Sequence, residues 1–296
     1  MKATHRLGIC CLLFSSAGAY YFPLHAPQRL GVHTKLSAST TQELLSQPAC
    51  FIVDHLNINH EKGRHDWLKA FYFDVLGCAI DPRKAENLEK GRKTLWANTG
   101  IHQFHLSEGT EAQVLDGMVT LAYSDLTAVK SRLANAPAVL ESSLFSWTQD
   151  EADEAGSSIQ VSDPWGTNFL LTENPTAKDQ RGTQPGDPSE PLAMTDILIH
   201  IPASANIPGI ARFYSEILGF PVRQESSDGL ILEASPSTKQ TLTFRRRVGG
   251  PPVAHEEIAE DEEGRPANLG AHISLYVSNM DVAFERAEKL GVVYGA

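Results

Sequence analysis

Residues Asp54-His55-Leu56-Asn57-Ile58-Asn59 recur 142 positions later as Asp196-Ile197-Leu198-Ile199-His200-Ile201. At the same spacing, Phe71-Tyr72-Phe73-Asp74-Val75-Leu76-Gly77 recurs as Phe213-Tyr214-Ser215-Glu216-Ile217-Leu218-Gly219. Two matches at one spacing leave no net insertion between them, so a strand, a helix and its Gly stop were copied as one folding unit. Whatever the first copy folds into, the second folds into as well. Chemistry is not bound in the same way. In this alignment His55 meets Ile197, so the copies are expected to share a fold but not a chemistry at that position.

The alternation around the repeat defines the unit. From Phe51, apolar Ile52, Leu56 and Ile58 face one side and His55, Asn57 and Asn59 the other, a half-buried strand with a polar second face. Residues 64–76 read as a helix with Trp67, Phe71 and Val75 on one side and Gly77 as its stop. Short strands follow at 93–96 and 102–106. A second cycle starts with a strand at 118–123 and a helix at 126–134. It ends with a strand at 158–161, the turn Asp163-Pro164-Trp165-Gly166 and a strand at 168–172. Residues 51–174 thus run strand, helix and three strands, twice.

Residues 175–192 are rich in Pro, Gly, Asp, Gln and Thr and lack periodicity, as a linker does. At Ala193 the cycle begins again. Its next round opens with Ala271-His272-Ile273-Ser274-Leu275-Tyr276-Val277, which matches residues 117–123 at a spacing of 154 because an insertion around 249–266 intervenes. A helix over 281–290 follows, and the last strands of this fourth cycle are expected to be absent. The open edges that result would need cover, which a homodimer could supply.

A chain of 296 residues suits about two domains. Its net charge of −11 argues against a nucleic-acid or anionic-membrane partner. Much of the acidity lies in 256–263, a solvated loop by composition, and Arg245-Arg246-Arg247 is expected to balance it. Residues 1–20 read as a secretory signal: Lys2 and Arg6, an apolar run over 7–14 too short to span a bilayer, then Ser16-Ala17-Gly18-Ala19. The stretch through Thr41 has no acidic residue, and aromatic Tyr20-Tyr21-Phe22 follows the small-residue cleavage region. That combination resembles the bipartite presequences that direct proteins to complex plastids; plain secretion is the alternative. No later segment is apolar enough to span a membrane, so a soluble mature protein is expected. Cys50 and Cys78 form neither a disulfide framework nor a zinc site.

Strand, helix ending Phe-Tyr-x-x-Val/Ile-Leu-Gly, then further strands, in paired modules closing on Asp-Pro-x-Gly, resembles the vicinal oxygen chelate superfamily of glyoxalases, bleomycin-resistance proteins and extradiol dioxygenases. The resemblance implies an α+β fold of paired βαβββ modules, one complete domain over 51–174 and a shortened one over 193–296. It also implies a divalent metal (Zn, Ni, Mn or Fe) held from the first and last strands of each module, although one scaffold hosts many activities. His55 and His105 are the first module's ligand candidates. The second module is expected to supply a His near 118 and a Glu near 170 but has Met118 and Leu170, neither a ligand for such a metal. His272 falls on the second domain's corresponding position. On that pairing no domain holds a full set.

Two readings stay open. In one, His55, His105 and His272 bind a metal, Asn57, Asn59 and Gln103 bind a small polar metabolite, and the chemistry is that of a lyase, isomerase or dioxygenase. In the other, the same polar face lines a metal-free cavity and the protein sequesters its ligand. The lack of a carboxylate at the family's proton-transferring position speaks against glyoxalase I activity itself. His60 and His65 are expected to be exposed at a strand end and a helix start, and Trp67, Phe71 and Phe213 to be core.

Overall fold

The computed structural model describes residues 7–13, 46–91, 94–153, 156–176, 186, 188–235, 238–249 and 271–293. The proposed signal and presequence therefore lie largely outside the described residues, as do the acidic loop and most of the linker.

The first module comprises β2 (Cys50–Asn57), the short β3 (His60–Glu61), helix α1, β4 (Ala79–Ile80), helix α2 (Ala85–Lys90), β5 (Leu95–Thr99), β6 (His102–Leu106) and β7 (Glu108–Gly109). Helix α1 is α-helical over His65–Leu68 and continues in wider π turns over Lys69–Val75. The second module has β8 (Gly117–Tyr123), α3 (Thr127–Ala134), β9 (Ser146–Asp153), β10 (Gly156–Ser162) and β11 (Asn168–Glu173). The third has β12 (Ala193–Ile201), α4 (Ile207–Arg212, continuing as π turns through Ile217), β13 (Val222–Glu225), β14 (Gly229–Ser235) and β15 (Gln240–Arg246). The fourth contributes β16 (His272–Ser278) and α5 (Met280–Lys289). The fold is α+β, built of paired βαβββ modules.

The pairing cuts across the division at the linker. One sheet runs β1-β16-β2-β6-β5-β4, where β1 is Leu7–Leu13, and joins the first module to the fourth. The other runs β13-β14-β15-β12-β8-β11-β10-β9 and joins the second to the third. Outer modules pair with each other, and so do inner ones. Met118 and Leu170 therefore sit in a different sheet from His55 and never complete its site, while His272 enters the sheet that holds His55 and His105. Next to β16 lies β1, antiparallel over seven residue pairs from Leu7↔Ser278 to Leu13↔His272.

The register also corrects the repeat. On β2, His55 opposes Ser274 and Val53 opposes Leu275, so Asp54 is an extra residue, a bulge. On β12, Asp196 opposes Thr120 and Met194 opposes Leu121, so Thr195 is the extra one. Matching bulge to bulge sets His55 against Asp196 and Leu56 against Ile197. The sequence match was one residue off in the strand, which exchanges the faces of a period-two element. Ile197 is fully buried core, whereas Asp196 takes His55's place and accepts the Thr241 and Thr243 hydroxyls at 2.6 and 2.8 Å.

The helices pack between the two sheets. Phe71 and Tyr72 of α1 meet Phe104 of β6 and Phe169 of β11 within one aromatic cluster. Tyr214 repeats the arrangement with Phe220 and Phe244. Both helices end in a glycine at positive φ, Gly77 at 75° and Gly219 at 73°, the stop that the repeat predicted.

Candidate functional site

Four neighbouring strands build one polar face. The two-residue turn Gly100-Ile101 sets Trp96 of β5 opposite His105 of β6. Strand β2 then sets Asn57 opposite His105 and His55 opposite Gln103. On the other side of β2, β16 sets His272 opposite Asn57.

Their side chains form a column of rings. Trp96 stacks on His105 at 4.4 Å and 11°, and His105 stacks on His55 at 3.6 Å and 19°. His272 meets His55 edge-on at 5.7 Å. Arg83 caps the outer face of Trp96 at 4.5 Å and Lys84 at 4.4 Å. All three sequence-predicted histidines thus belong to one site, although His55 and His272 lie at opposite ends of the chain.

Hydrogen bonds fix the ring nitrogens. The Gln103 amide donates to Asp81 Oδ2 at 2.8 Å and Asn98 Oδ1 at 2.7 Å, so its carbonyl oxygen is the atom facing His105 Nε2 at 3.1 Å. Nε2 must then carry the hydrogen and Nδ1 the lone pair. Asp81 is in turn gripped by Arg83 through two bonds of 2.9 and 2.8 Å. That guanidinium holds the carboxyl down to about 2 against the effect of burial. Burial, helped by the nearby charges of His55, His272 and Arg83, lowers His105 to about 3 and keeps its ring neutral. The bulge places Asp54 against its own neighbour, with Oδ2 2.9 Å from His55 Nδ1, which leaves Nε2 of that ring to face a ligand.

Asn57 is buried on this face, whereas Asn59 lies past the end of β2, its backbone N–H donating to Gln113 Oε1 at 2.9 Å. Sequence reading missed Trp96, Asp54, Asp81 and Arg83. The turn at Gly100-Ile101 carried enough register to find Trp96; the bulge at Asp54 had no signal of its own. His60 corrects an expectation: it is 2% exposed rather than on the surface. Asp196, Thr241 and Thr243 occupy the equivalent face of the other sheet, with a carboxylate where the first sheet has His55.

The donor chemistry fits a divalent metal. Imidazoles arrive from three strands, and two of them have one nitrogen held by an oxygen, as metal-binding histidines do. In the arrangement described, however, the His55 and His105 planes run side by side and their lone pairs do not converge. Among the described residues no three His, Cys, Asp or Glu side chains are spaced to hold an ion together. Coordination requires one ring to leave the stack.

No family model matches the sequence, and no curated protein matches it. Solved structures do. A single-substitution mutant of glyoxalase I from Zea mays is 13% identical over 86% of this chain and 85% of that one, with a TM-score of 0.48. The Mn(II)-bound glyoxalase from Novosphingobium aromaticivorans is 17% identical over 68% of this chain and 63% of that one (TM-score 0.35). A 2,3-dioxygenase from Pseudomonas sp. KL28 is 16% identical over 68% and 72% (TM-score 0.31). The chain is thus similar to glyoxalase and dioxygenase structures. The module order and strand register, observed directly, carry the assignment of fold.

Proposed function

We propose that this chain is a glyoxalase-like protein of the vicinal oxygen chelate type that acts on a small polar metabolite at the Trp96–His105–His55–His272 face. The observation that carries this reading is the meeting of three histidines from three strands, with His272 supplied by the last module. His55, His105 and His272 would hold a divalent metal, which would serve as a Lewis acid toward vicinal oxygens of the substrate. The protein's own residues do the rest. Gln103 fixes the His105 tautomer, Asp54 orients His55 through its Nδ1, and the Arg83–Asp81 pair anchors Gln103 from behind. Asn57 offers a further polar contact on the same face.

A second reading rests on the stacking itself. A ring column with a cationic cap suits a metal-free binder that seats a flat, polar ligand against His55. Titrating chelator-stripped protein with Zn(II), Ni(II), Mn(II) and Co(II) by calorimetry separates the two. One equivalent bound, and lost in His105→Ala, supports the metal reading; no uptake by any of the four sinks it and leaves the binder. Residues 1–41 are proposed as a plastid-type presequence, with plain secretion as the alternative. The N-terminal sequence of the mature protein purified from its source decides whether they are removed.

A further inference from the structure

We infer that the second sheet carries a ligand site of its own, in which Asp196 takes the ammonium of a small primary amine and Leu198, Met118 and Leu170 seat its apolar body. The strand register assembles the site. Asp196 of β12 opposes Thr120 of β8, and Thr120 opposes Leu170 of β11. Two residues along, Leu198 opposes Met118. Neighbouring strands lie about 4.8 Å apart, so these side chains make one continuous floor. Thr241 and Thr243 of β15 flank it on the other side of β12.

The apolar part of this floor is not used by the core. Ile197, Val119 and Leu171 alternate with it along the same three strands and are fully buried in the core cluster. Leu198 is only 7% exposed yet stands outside that cluster, and Met118 and Leu170 are half-buried outside it as well. Three apolar side chains recessed beside one carboxylate suit a guest with the same two halves.

The carboxylate selects the charge of the guest. Asp196 Oδ1 accepts both threonine hydroxyls, while Oδ2 accepts no bond among the described residues. Burial pushes the carboxyl up, against the pull of those hydroxyls and of the Arg245 charge. Arg245 itself lies beyond Thr243 on β15, is exposed, and forms no ion pair with Asp196 among the described residues. A carboxylate deprived of both water and a partner favours a cation that the ligand brings. A bare divalent ion would need several such donors, and among the described residues no group of three is spaced to supply them. An ammonium needs fewer. Its three N–H donors match Oδ2, the Thr120 hydroxyl oxygen opposite, and the lone pairs that Thr243 keeps while donating.

Phenethylamine is a suitable probe, with phenethyl alcohol as its uncharged control, each titrated into the full chain by calorimetry at neutral pH. Saturable one-site binding of the amine is expected, unchanged in His105→Ala. It should be about tenfold or more tighter than that of the alcohol, the worth of a hydrogen bond to a charged group. Asp196→Asn keeps an acceptor for the threonines but removes the charge, and should erase the preference for the amine. Leu170→Lys, at a half-buried position outside the core, sets a competing ammonium on the floor and should erase it too. Met118→Ala should weaken both compounds severalfold. Amine binding that is absent or fails to saturate, equal affinity for the two compounds, or a preference that survives either charge-changing substitution overturns the inference. So does binding lost in His105→Ala, which would place the probe on the histidine column.

Discussion

His102 ties the two sheets together, and acid should cut that tie. The residue sits on β6 with no exposure to solvent, and its Nδ1 accepts the Met194 N–H of β12 at 3.1 Å. An accepting nitrogen must be unprotonated. Burial, opposed by the charge of Asp54, lowers the ring from 6.5 to about 4. The folded ring holds its proton less tightly than the unfolded one. Its stabilisation is therefore complete above pH 6.5 and drains away as pH falls towards 4. At pH 4.5 the gap between unfolded and folded affinity is about two pH units, or roughly 3 kcal/mol at about 1.4 kcal/mol per unit. Urea unfolding of the wild type and His102→Leu at pH 7.0 and pH 4.5 isolates this residue. His60 and His105, which shift in the same direction, cancel in the difference. At pH 7.0 the variant should be less stable by about 1–3 kcal/mol, because the Met194 N–H loses its acceptor. At pH 4.5 the deficit should shrink by about 3 kcal/mol or reverse. Parallel losses in both proteins would refute the argument.

Three further outcomes follow from single contacts. Asp163→Ala strips the acceptor from three backbone N–H groups and should cost about 3–6 kcal/mol, while Asp163→Asn keeps an acceptor there and should cost under about 2 kcal/mol, both read from urea midpoints. Gly219→Ala would drive a Cβ to 2.0 Å from the Pro48 carbonyl oxygen at a φ of 73°, and thermal melting should show a far larger loss than for Gly63→Ala, whose φ is 83° but whose surroundings are open. That second change should cost only the backbone strain, about 1–2 kcal/mol. Gln103→Leu removes the acceptor that fixes the His105 tautomer and should weaken metal or ligand affinity by about 10- to 100-fold in calorimetry.

The sequence made the modules legible because period-two alternation and the Phe-Tyr-x-x-Val/Ile-Leu-Gly helix end are local signals. Strand β6, helix α3 and both glycine stops lie within a residue or so of expectation. The three histidines were legible as candidates for the same reason. What was not local was lost. Nothing between Phe51 and Asn174 says that β2 will pair with β16 some 220 residues away rather than with β8, and that choice decides whether His55 meets His272 or Met118. The bulges at Asp54 and Thr195 shift the repeat by one residue, and no composition rule marks them, so Ile197 stood where Asp196 belongs. His60 read as exposed because it closes a polar strand end; it is instead covered where β3 pairs with β7 and its ring lies beside Trp165.

The central claim is that His272 shares one site with His55 and His105, across the two ends of the chain. Co(II) affinity, followed by calorimetry and by the visible spectrum of the bound ion, tests it most directly in His55→Ala, His105→Ala, His272→Ala and Met118→Ala. The three histidine variants should each lose affinity by a comparable factor while Met118→Ala binds as the wild type does. A His272→Ala protein that keeps wild-type affinity while His55→Ala and His105→Ala lose it, or a Met118→Ala protein that loses it with them, would contradict the account.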